Sequence, residues 1–468
     1  MAIGKPDEPT ENIILLTDSY KVSHWPQYPP GTSHVYSYFM PRGGRYDKIV
    51  SFSLQYFLKK YLEGRVVTPA MIDEAEEIYR LHFGSDMLFN RRGWEHILAV
   101  HGGRLPVSIK AVPEGTVVDT KNVLMTIENT DPSCYWLTNY LETLLVQVWY
   151  GTTVATQSYH MKKIILDALN RTGTPSDIAF KLHDFGFRGV SSVESSGVGG
   201  AAHLVNFMGT DTVRGVMLAR KYYGEPMAGF SVPAAEHSTI TSWGMDREVD
   251  AFDNMLTKFE SMPVIAVVSD SFDIFAACGH LWGRLLKEKV MKRNGVLVVR
   301  PDSGRPEIVV PEVLRILGRA FGFTINQKGF KVLDPHVRVI QGDGISIDTL
   351  PSILNAVIDD GWSADNIAFG SGGGLLQQVN RDTSRFAFKC SSITVNGEQH
   401  DVFKNPVTDS GKASLSGRLK LIKTASGYQT VRQGSDPMTD QLEEVFRNGS
   451  VLRESTLAEI RVRASEGL

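Results

Sequence analysis

The chain has 468 residues, of which 42% are hydrophobic and 22% are charged, a composition typical of globular proteins with two or three domains. A formal net charge of −3 and the absence of a Lys/Arg-rich run argue against nucleic acid as a principal partner. The cysteines Cys134, Cys278 and Cys390 are too far apart to suggest a disulfide framework, and no apolar run approaches the ~20 residues that span a bilayer. Because the N-terminal segment is polar and lacks a signal-peptide pattern, we expect a cytoplasmic protein with no membrane partner.

The pattern of the chain changes twice and predicts two domains. Residues 1–152 mix short strand candidates with helical stretches, which is typical of α+β structure. Over residues 153–387, amphipathic helices alternate with apolar runs such as PVIAVV and VLVV, which are typical of strands buried on both faces. Residues 388–468 return to short segments with turn signals, as in antiparallel strands. The predicted fold class is α/β, an irregular (β/α) barrel-like domain plus a smaller α+β domain built from both termini; a doubly wound sheet is the alternative.

Five apolar runs of the central region lead directly into small polar and acidic residues. These clusters are HDFGFRG (183–189), VVSDSFD (267–273), VVRPDSG (298–304), IQGDG (340–344) and FGSGGG (369–374). Catalytic groups and phosphate-binding loops collect at the carboxyl ends of parallel strands, so the clusters predict an active site. Gly, Asp and Ser are also the usual turn formers, and one such cluster alone would indicate only a connection.

The glycine cluster places Gly372 and Gly373 between an apparent strand and a helix. Backbone N–H groups at such a turn bind phosphate, and glycine permits close approach; a mobile turn is the alternative. Arg381 follows about two helical turns later and is a candidate phosphate ligand, although an arginine on a helix surface is usually solvated.

Other candidates for chemistry are single side chains near these clusters. Arg300 and Asp302 pair an anion-binding fork with a carboxylate for ribose hydroxyls or a hydrated metal ion; a plain salt bridge is the equal alternative. Asp343, between two glycines, is a carboxylate that a small ligand can approach. His237 lies among small residues that leave it open to substrate, whereas we expect His183 to be structural. The twelve histidines form no HExxH motif and no Cys/His cluster, so no metal ion bound by protein ligands is predicted.

A set of longer segments, distributed in order along the chain, carries a more specific pattern. They are TDSYKVSHWPQYPP (17–30), ENTDPSCYWLTN (128–139), KLHDFGFRGVSS (181–192), NFMGTDTV (206–213), SVPAAEHSTIT (231–241), RPDSG, VIQGDG and NIAFGSGGGLLQ. Together they closely resemble the nicotinamide phosphoribosyltransferases, which are type II phosphoribosyltransferases of the nicotinate/nicotinamide phosphoribosyltransferase family. The resemblance implies transfer of the phosphoribosyl group of 5-phosphoribosyl 1-diphosphate to nicotinamide, giving nicotinamide mononucleotide and diphosphate in NAD salvage. It also implies Mg²⁺ bound with the diphosphate substrate and ATP as a coupled phosphoryl donor.

The same resemblance implies roles for individual residues. Phe185 and the partner subunit's Tyr20 would stack on the two faces of the nicotinamide ring; without the resemblance, each is expected to be an ordinary core aromatic. Asp211 would accept a hydrogen bond from the carboxamide and repel nicotinate. His237 would be phosphorylated by ATP, with Asp270 orienting the imidazole.

The remaining candidates would hold the ribose and the phosphates. Arg188 and Arg300 correspond to ligands of the base-side and phosphate groups, and Asp302 with Asp343 would anchor ribose hydroxyls or metal-bound water. Gly342, Gly372 and Gly373 would let the backbone close on the nucleotide phosphate. A cationic rim contributed by the other subunit of a homodimer with shared active sites is implied for Arg42, Lys389, Lys404 and Lys412. For Lys412 in particular, a solvated lysine is the alternative.

Three other functions stay open. Nicotinate phosphoribosyltransferase activity on the same fold is the nearest, and Asp211 is the residue that discriminates against it. A barrel acting on a sugar phosphate would explain the glycine cluster but not Tyr20, Phe185 and Asp211. A binding protein without activity would not need the full set of polar clusters.

Overall fold

The computed structural model describes residues 11–408 and 414–468, and the chain divides into two compact units. The first, which we call the terminal unit, contains residues 11–156, 222–224 and the described residues between 380 and 467. The second, the barrel unit, contains residues 157–221 and 225–379.

The strands are numbered in chain order. They are β1 Thr32–Pro41, β2 Lys48–Val50, β3 Val107–Ala111, β4 Val117–Asp119, β5 Met125–Asn129, β6 Leu182–Asp184, β7 Gly209–Thr210, β8 Val264–Val268, β9 Val296–Arg300, β10 Phe323–Ile325, β11 Lys331–Leu333, β12 Val337–Gln341, β13 Ile367–Ser371, β14 Phe386–Val395, β15 Glu398–Asp401, β16 Leu419–Thr424, β17 Gly427–Arg432, β18 Glu443–Arg447 and β19 Ser450–Val451.

The α-helices follow the same order. They are α1 Leu54–Phe57, α2 Pro69–Phe83, α3 Arg91–His101, α4 Leu137–Tyr140, α5 Glu142–Val146, α6 Val148–Thr172, α7 Val193–His203, α8 Val213–Tyr222, α9 His237–Thr241, α10 Glu248–Lys258, α11 Ile274–Ala276, α12 Lys287–Met291, α13 Pro306–Phe321, α14 Leu350–Asp359, α15 Gly373–Leu376 and α16 Leu457–Ser465. Among the residues described, none of these helices combines the length and the apolar character needed to cross a membrane.

Short 3₁₀ and π-helical turns occur between these elements. The 3₁₀ turns are Ile13–Leu15, Ser19–Ser23, Pro132–Cys134, Pro175–Phe180, Phe187–Gly189, Met245–Arg247, Ala364–Asn366 and Arg381–Thr383, and the π-helical stretches are Leu58–Leu62 and Ala277–Leu285.

The centre of the barrel unit is a parallel six-stranded sheet in the order β7-β6-β13-β12-β9-β8. Five of its six strands, all except β7, lead into the polar clusters identified in the sequence, and Val267, Val299 and Val339 are fully buried. Helices follow the strands: α11 after β8, α13 after β9 and α14 after β12. A sheet that is covered in this way needs apolar side chains on both faces, which explains the continuous Val/Ile/Leu runs. The predicted α/β class is confirmed.

A short extended segment, residues 230–235, bridges the two edge strands of this sheet. Phe230 forms two backbone hydrogen bonds at the β7 edge, of 2.8 and 3.0 Å. Pro233 and Ala235 each form one with Ala266 of β8, of 3.0 and 2.9 Å. We call residues 230–235 the closing segment, because it gives the curled sheet the barrel-like form that the sequence predicted.

The terminal unit is built on an antiparallel sheet in the order β15-β14-β1-β5-β3-β18-β19. Strand β1 from the N-terminal part pairs along most of its length with β14 from the C-terminal part, where Tyr38 lies opposite Lys389. Buried Tyr38, Phe39 and Trp94 contribute to the core of this unit. The prediction of an α+β domain built from both termini is therefore confirmed.

Candidate active site

The carboxyl ends of the parallel strands collect most of the predicted site residues at one edge of the barrel sheet. The residues that end or follow a strand are Phe185 and Arg188 for β6, Asp211 for β7, Asp270 for β8, Arg300 and Asp302 for β9, Gly342 and Asp343 for β12, and Gly372 and Gly373 for β13. His237 begins α9, two positions after the end of the closing segment at Ala235. All of these residues belong to the barrel unit.

The ring of Phe185 lies directly on the backbone of Gly370 in the neighbouring strand β13. A Cβ atom at position 370 would overlap the ring, so this position accepts only glycine unless the ring moves. The Phe185 N–H donates to the carbonyl of Ser371 at 2.9 Å, which fixes the turn after β6. The aromatic side chain is half-buried rather than enclosed in the core.

Arg300 connects this ring to the end of strand β12. Its guanidinium carbon lies 5.3 Å from the centre of the Phe185 ring. Its Nη2 and Nε atoms donate to Asp302 Oδ1 at 2.8 and 3.1 Å. A side chain at Gly342 would crowd the guanidinium, because its Cβ would lie 2.9 Å from Arg300 Nε. The salt bridge between Arg300 and Asp302 that the sequence suggested is thus present. Because a guanidinium has five N–H donors, Arg300 can keep this salt bridge while it binds an anion.

Asp211 is exposed at the end of β7 and is held from two sides. Its backbone N–H donates to the carbonyl of Asp184 at 2.9 Å. The Ser231 hydroxyl, on the closing segment, donates to its Oδ1 atom. Asp184 itself is buried, and burial raises the pKa of its carboxyl to about 6. The exposed Asp211 carboxylate, rather than the buried Asp184, is therefore the acceptor available to a ligand.

His237 and Asp270 form an ion-pair geometry at the other end of the closing segment. His237 Nε2 lies 3.0 Å from Asp270 Oδ1. The imidazole is 49% exposed, whereas the carboxylate is only 4% exposed. A buried carboxylate that holds one ring nitrogen fixes the orientation of an accessible imidazole, and the pairing expected from sequence is brought together.

The glycine cluster after β13 leaves open space over its backbone. A Cβ at Gly373 would meet no atom within 4 Å, and one at Gly372 would meet only the Phe185 carbonyl, at 3.5 Å. The tip of β6 approaches the same loop, because a Cβ at Gly189 would lie 3.5 Å from Gly373. Arg188 is exposed one residue earlier. A bound phosphate could therefore approach this backbone closely.

Five further candidates among the described residues belong to the terminal unit. Tyr20 is 58% exposed on the turn Ser19–Ser23. Burial lowers the pKa of the Lys389 ammonium, and the positive charges of Arg42, Lys404 and Arg381 lower it further, against the opposing charge of Glu142. The predicted cationic residues are thus neighbours in one unit. Lys412 lies outside the described residues.

Arg381 differs from its predicted setting. Helix α15 ends at Leu376, so Arg381 is not two turns along that helix. It begins the separate 3₁₀ turn Arg381–Thr383, which starts from an Asn380 capping box and belongs to the terminal unit. The helix does not continue to Arg381, because the Asn380 cap starts a new helical turn there.

Comparison with known sequences places this arrangement in a family. The sequence model described as "Nicotinate phosphoribosyltransferase (NAPRTase) family" matches residues 180–450, and that described as "Nicotinamide phosphoribosyltransferase, N-terminal domain" matches residues 12–109. The chain belongs to the nicotinate phosphoribosyltransferase family. A nicotinamide phosphoribosyltransferase of Xanthomonas campestris is 51% identical to it over 97% of this chain and 98% of its own length. One of Acinetobacter baylyi is 33% identical over 98% of both chains.

Solved structures share the architecture of this phosphoribosyltransferase. A nicotinate-nucleotide pyrophosphorylase from Pyrococcus furiosus aligns with a TM-score of 0.62 at 18% identity, covering 100% of this chain and 97% of its own. Human nicotinic acid phosphoribosyltransferase aligns with a TM-score of 0.57 at 16% identity, covering 97% and 93%. At these identities the likeness shows the fold. With the family assignment, the chain is a phosphoribosyltransferase enzyme.

One buried acidic residue of this phosphoribosyltransferase, Glu248, was not indicated by any sequence pattern. Glu248 begins α10 and is 6% exposed, and its Oε1 atom has no hydrogen-bond partner among the described residues. Burial, together with the negative charges of Asp273 and Asp270, raises the pKa of its carboxyl to about 7. Asp270, one of the two carboxylates whose charge acts on Glu248, is also the partner of His237. An acidic residue at the start of an amphipathic helix is ordinarily solvated, so the sequence pattern hid it.

Replacement of Glu248 by glutamine is expected to stabilise the protein selectively at high pH. The folded-state pKa is above the ordinary value of 4.5, so between about pH 4.5 and 7 the unfolded chain ionises while the folded one keeps its proton. The stability contributed by this group is therefore present at low pH and lost as the pH rises through about 7. Glu248→Gln should raise the thermal unfolding midpoint more at pH 8 than at pH 5. The control is Glu288→Gln, at an exposed site of the same unit. If Glu248→Gln changed the unfolding midpoint equally at both pH values, the raised pKa of Glu248 would be contradicted.

Proposed function

We propose that this phosphoribosyltransferase transfers the phosphoribosyl group of 5-phosphoribosyl 1-diphosphate to nicotinamide, forming nicotinamide mononucleotide and diphosphate in NAD salvage. The observation that carries the choice of base is the exposed carboxylate of Asp211 at the end of β7, held by the Ser231 hydroxyl. The names of the two relatives described above support the same choice.

The nicotinamide nitrogen needs positioning rather than activation. The ring nitrogen of neutral nicotinamide has a free lone pair, so its attack on C1 of the ribose needs no general base. The new N–C bond forms as the bond from C1 to the diphosphate oxygen breaks, and the leaving group departs with the electron pair. Phe185, fixed on Gly370, offers a flat surface that aligns the ring for this attack.

The diphosphate end of the substrate meets the positive and small residues of the same strand ends. Arg300 and Arg188 would bind the phosphates, and Gly342, Gly372 and Gly373 leave room for close backbone approach. Asp302 and Asp343 supply carboxylate oxygens for ribose hydroxyls or metal-bound water, a donor set that suits Mg²⁺. Mg²⁺ bound with the diphosphate would neutralise part of the charge on the leaving group.

Asp211 decides between the amide and the acid form of the pyridine. Its carboxylate can accept a hydrogen bond from the carboxamide NH₂, whereas the carboxylate of nicotinate would place two negative charges together. Nicotinate phosphoribosyltransferase activity remains the alternative function, since the solved structures described above include human nicotinic acid phosphoribosyltransferase.

The purified protein is expected to form a mononucleotide from nicotinamide and not, at comparable rates, from nicotinate. Asp211→Asn should lower the ratio of kcat/KM for nicotinamide over nicotinate by about tenfold or more, because it removes the like-charge repulsion. The measurement is product formation with each pyridine in parallel. Asp246→Asn, at an exposed aspartate of the same unit, should leave the ratio unchanged. Efficient use of nicotinate by the unaltered protein would refute the role of Asp211.

His237 is the proposed acceptor of a phosphoryl group from ATP. Its Nε2 faces Asp270, so the Nδ1 lone pair is the available nucleophile. Attack of Nδ1 on the γ-phosphorus forms an N–P bond and breaks the bond to the oxygen that leaves with ADP. A phosphorylated imidazole at this position would favour transfer by tightening the site for the diphosphate substrate. Asp270, almost fully buried, would stabilise the protonated ring.

His237→Ala should abolish ATP hydrolysis and the stimulation of nucleotide formation by ATP, while basal transfer continues. The measurements are ADP release and the rate ratio with and without ATP. His280→Ala changes an exposed histidine of the same unit and should keep both properties. Stimulation by ATP that survives His237→Ala would eliminate the phosphohistidine role.

We further propose a symmetric homodimer with two shared active sites. The partner subunit's Tyr20 would cover the second face of nicotinamide, which fits the 58% exposure of Tyr20 on its turn. The cationic neighbours Arg42, Lys389 and Lys404 would attract the anionic substrate from the other subunit, and Lys412 is proposed for the same rim from sequence alone. The cysteines Cys134, Cys278 and Cys390 are free, which supports a reducing, cytoplasmic setting.

A further inference from the structure

A cluster of metal-ligand side chains lies in the terminal unit and contains none of the residues assigned to the transfer reaction. It consists of His96 and His101 from α3 with Asp131 and Cys134 from the turn before α4, and we call it the His–Asp–Cys cluster. One ligand atom from each of the four side chains lies within 4.8 Å of the others. No zinc motif in the sequence indicates it, because His101 and Asp131 are separated by 30 positions.

Both imidazoles converge on one carboxylate oxygen. His96 Nε2 and His101 Nε2 each lie 2.7 Å from Asp131 Oδ2, and the two ring centres are 5.9 Å apart. The other carboxylate oxygen accepts the Ser133 N–H at 2.8 Å, which holds the carboxylate in place. A hydrogen-bonded His–Asp–His arrangement accounts for the three polar groups, but it does not account for the thiol beside them.

Cys134 adds the ligand that selects a softer metal ion. It is a free thiol and is fully buried, on the inner side of the cluster. The histidines are 32% and 23% exposed, which gives an ion a route from solvent. Two imidazole nitrogens, a thiolate and a carboxylate form a donor set that suits tetrahedral Zn²⁺, and the two negative charges would balance the ion.

We propose that the His–Asp–Cys cluster binds one Zn²⁺ ion that joins helix α3 to the turn Pro132–Cys134. Ligands of tetrahedral zinc lie about 3.3 to 3.8 Å apart, so shifts of about 1 Å would accommodate the ion. On binding, the Cys134 thiol releases its proton to solvent, and each neutral imidazole moves its proton to Nδ1 so that Nε2 carries the donated lone pair. The ion would replace the hydrogen bonds to Asp131 by coordinate bonds to the same side chains.

The test uses the full-length chain after removal of bound metal with a chelator, with Co²⁺ and Zn²⁺ as probes. We expect one Co²⁺ per chain, with tetrahedral ligand-field absorption and a thiolate-to-metal charge-transfer band, both lost when Zn²⁺ displaces it. His96→Gln and His101→Gln should weaken the affinity about 10- to 100-fold or more. Cys134→Ser should remove the charge-transfer band. Cys278→Ser and Cys390→Ser, at the other two free cysteines, are matched controls that should keep it.

Two results would overturn the proposal. The first is binding of substantially less than one ion per chain by the unaltered protein, which would leave the cluster a hydrogen-bonded one. The second is affinity that is the same in His101→Gln as in the unaltered chain, which would place the ion elsewhere. Because the histidines are partly exposed, their variants decide the question even if Cys134→Ser does not fold.

Discussion

The contact between Phe185 and Gly370 is the constraint on which the rest of the candidate active site depends. The ring from the end of β6 occupies the space that a side chain on β13 would need. Arg300, from the end of β9, then reaches across Gly342 at the end of β12 to lie 5.3 Å from the ring centre. Two glycines in neighbouring strands therefore allow an aromatic ring and a guanidinium to meet over the edge of the sheet. A flat apolar surface beside a cation suits a pyridine ring that reacts with an anionic substrate.

The closing segment organises the other half of the site. Its first residues hydrogen-bond to the β7 edge and its last residues to β8, so it spans the two outer strands. Ser231 within it contacts Asp211, and His237, two positions after its last residue, contacts Asp270. One extended stretch thus helps to position both Asp211, which is proposed to choose the base, and His237, which is proposed to accept phosphate.

The sequence predicted the parallel strands and their polar ends well, because a buried parallel strand must be apolar on both faces and a site must follow it. It could not reveal contacts made across distant positions. The closing segment FSVPAA has no strand pattern, since only a few backbone hydrogen bonds at each end hold it. Arg381 followed an apparent helix that stops at Leu376, and Glu248 resembled a solvated residue at a helix start. The His–Asp–Cys cluster depends on tertiary packing between a helix and a turn 30 positions away.

The central claim is that nicotinamide binds against the Phe185 ring, and Gly370→Ala tests it most directly. The added methyl group would displace the ring without removing any proposed ligand. We predict a KM for nicotinamide raised about fivefold or more, as expected for a lost stacking surface, with a KM for 5-phosphoribosyl 1-diphosphate within about twofold of the original. Phe185→Ala should give the same pattern if the methyl group prevents folding. An unchanged KM for nicotinamide in both folded variants would contradict the claim.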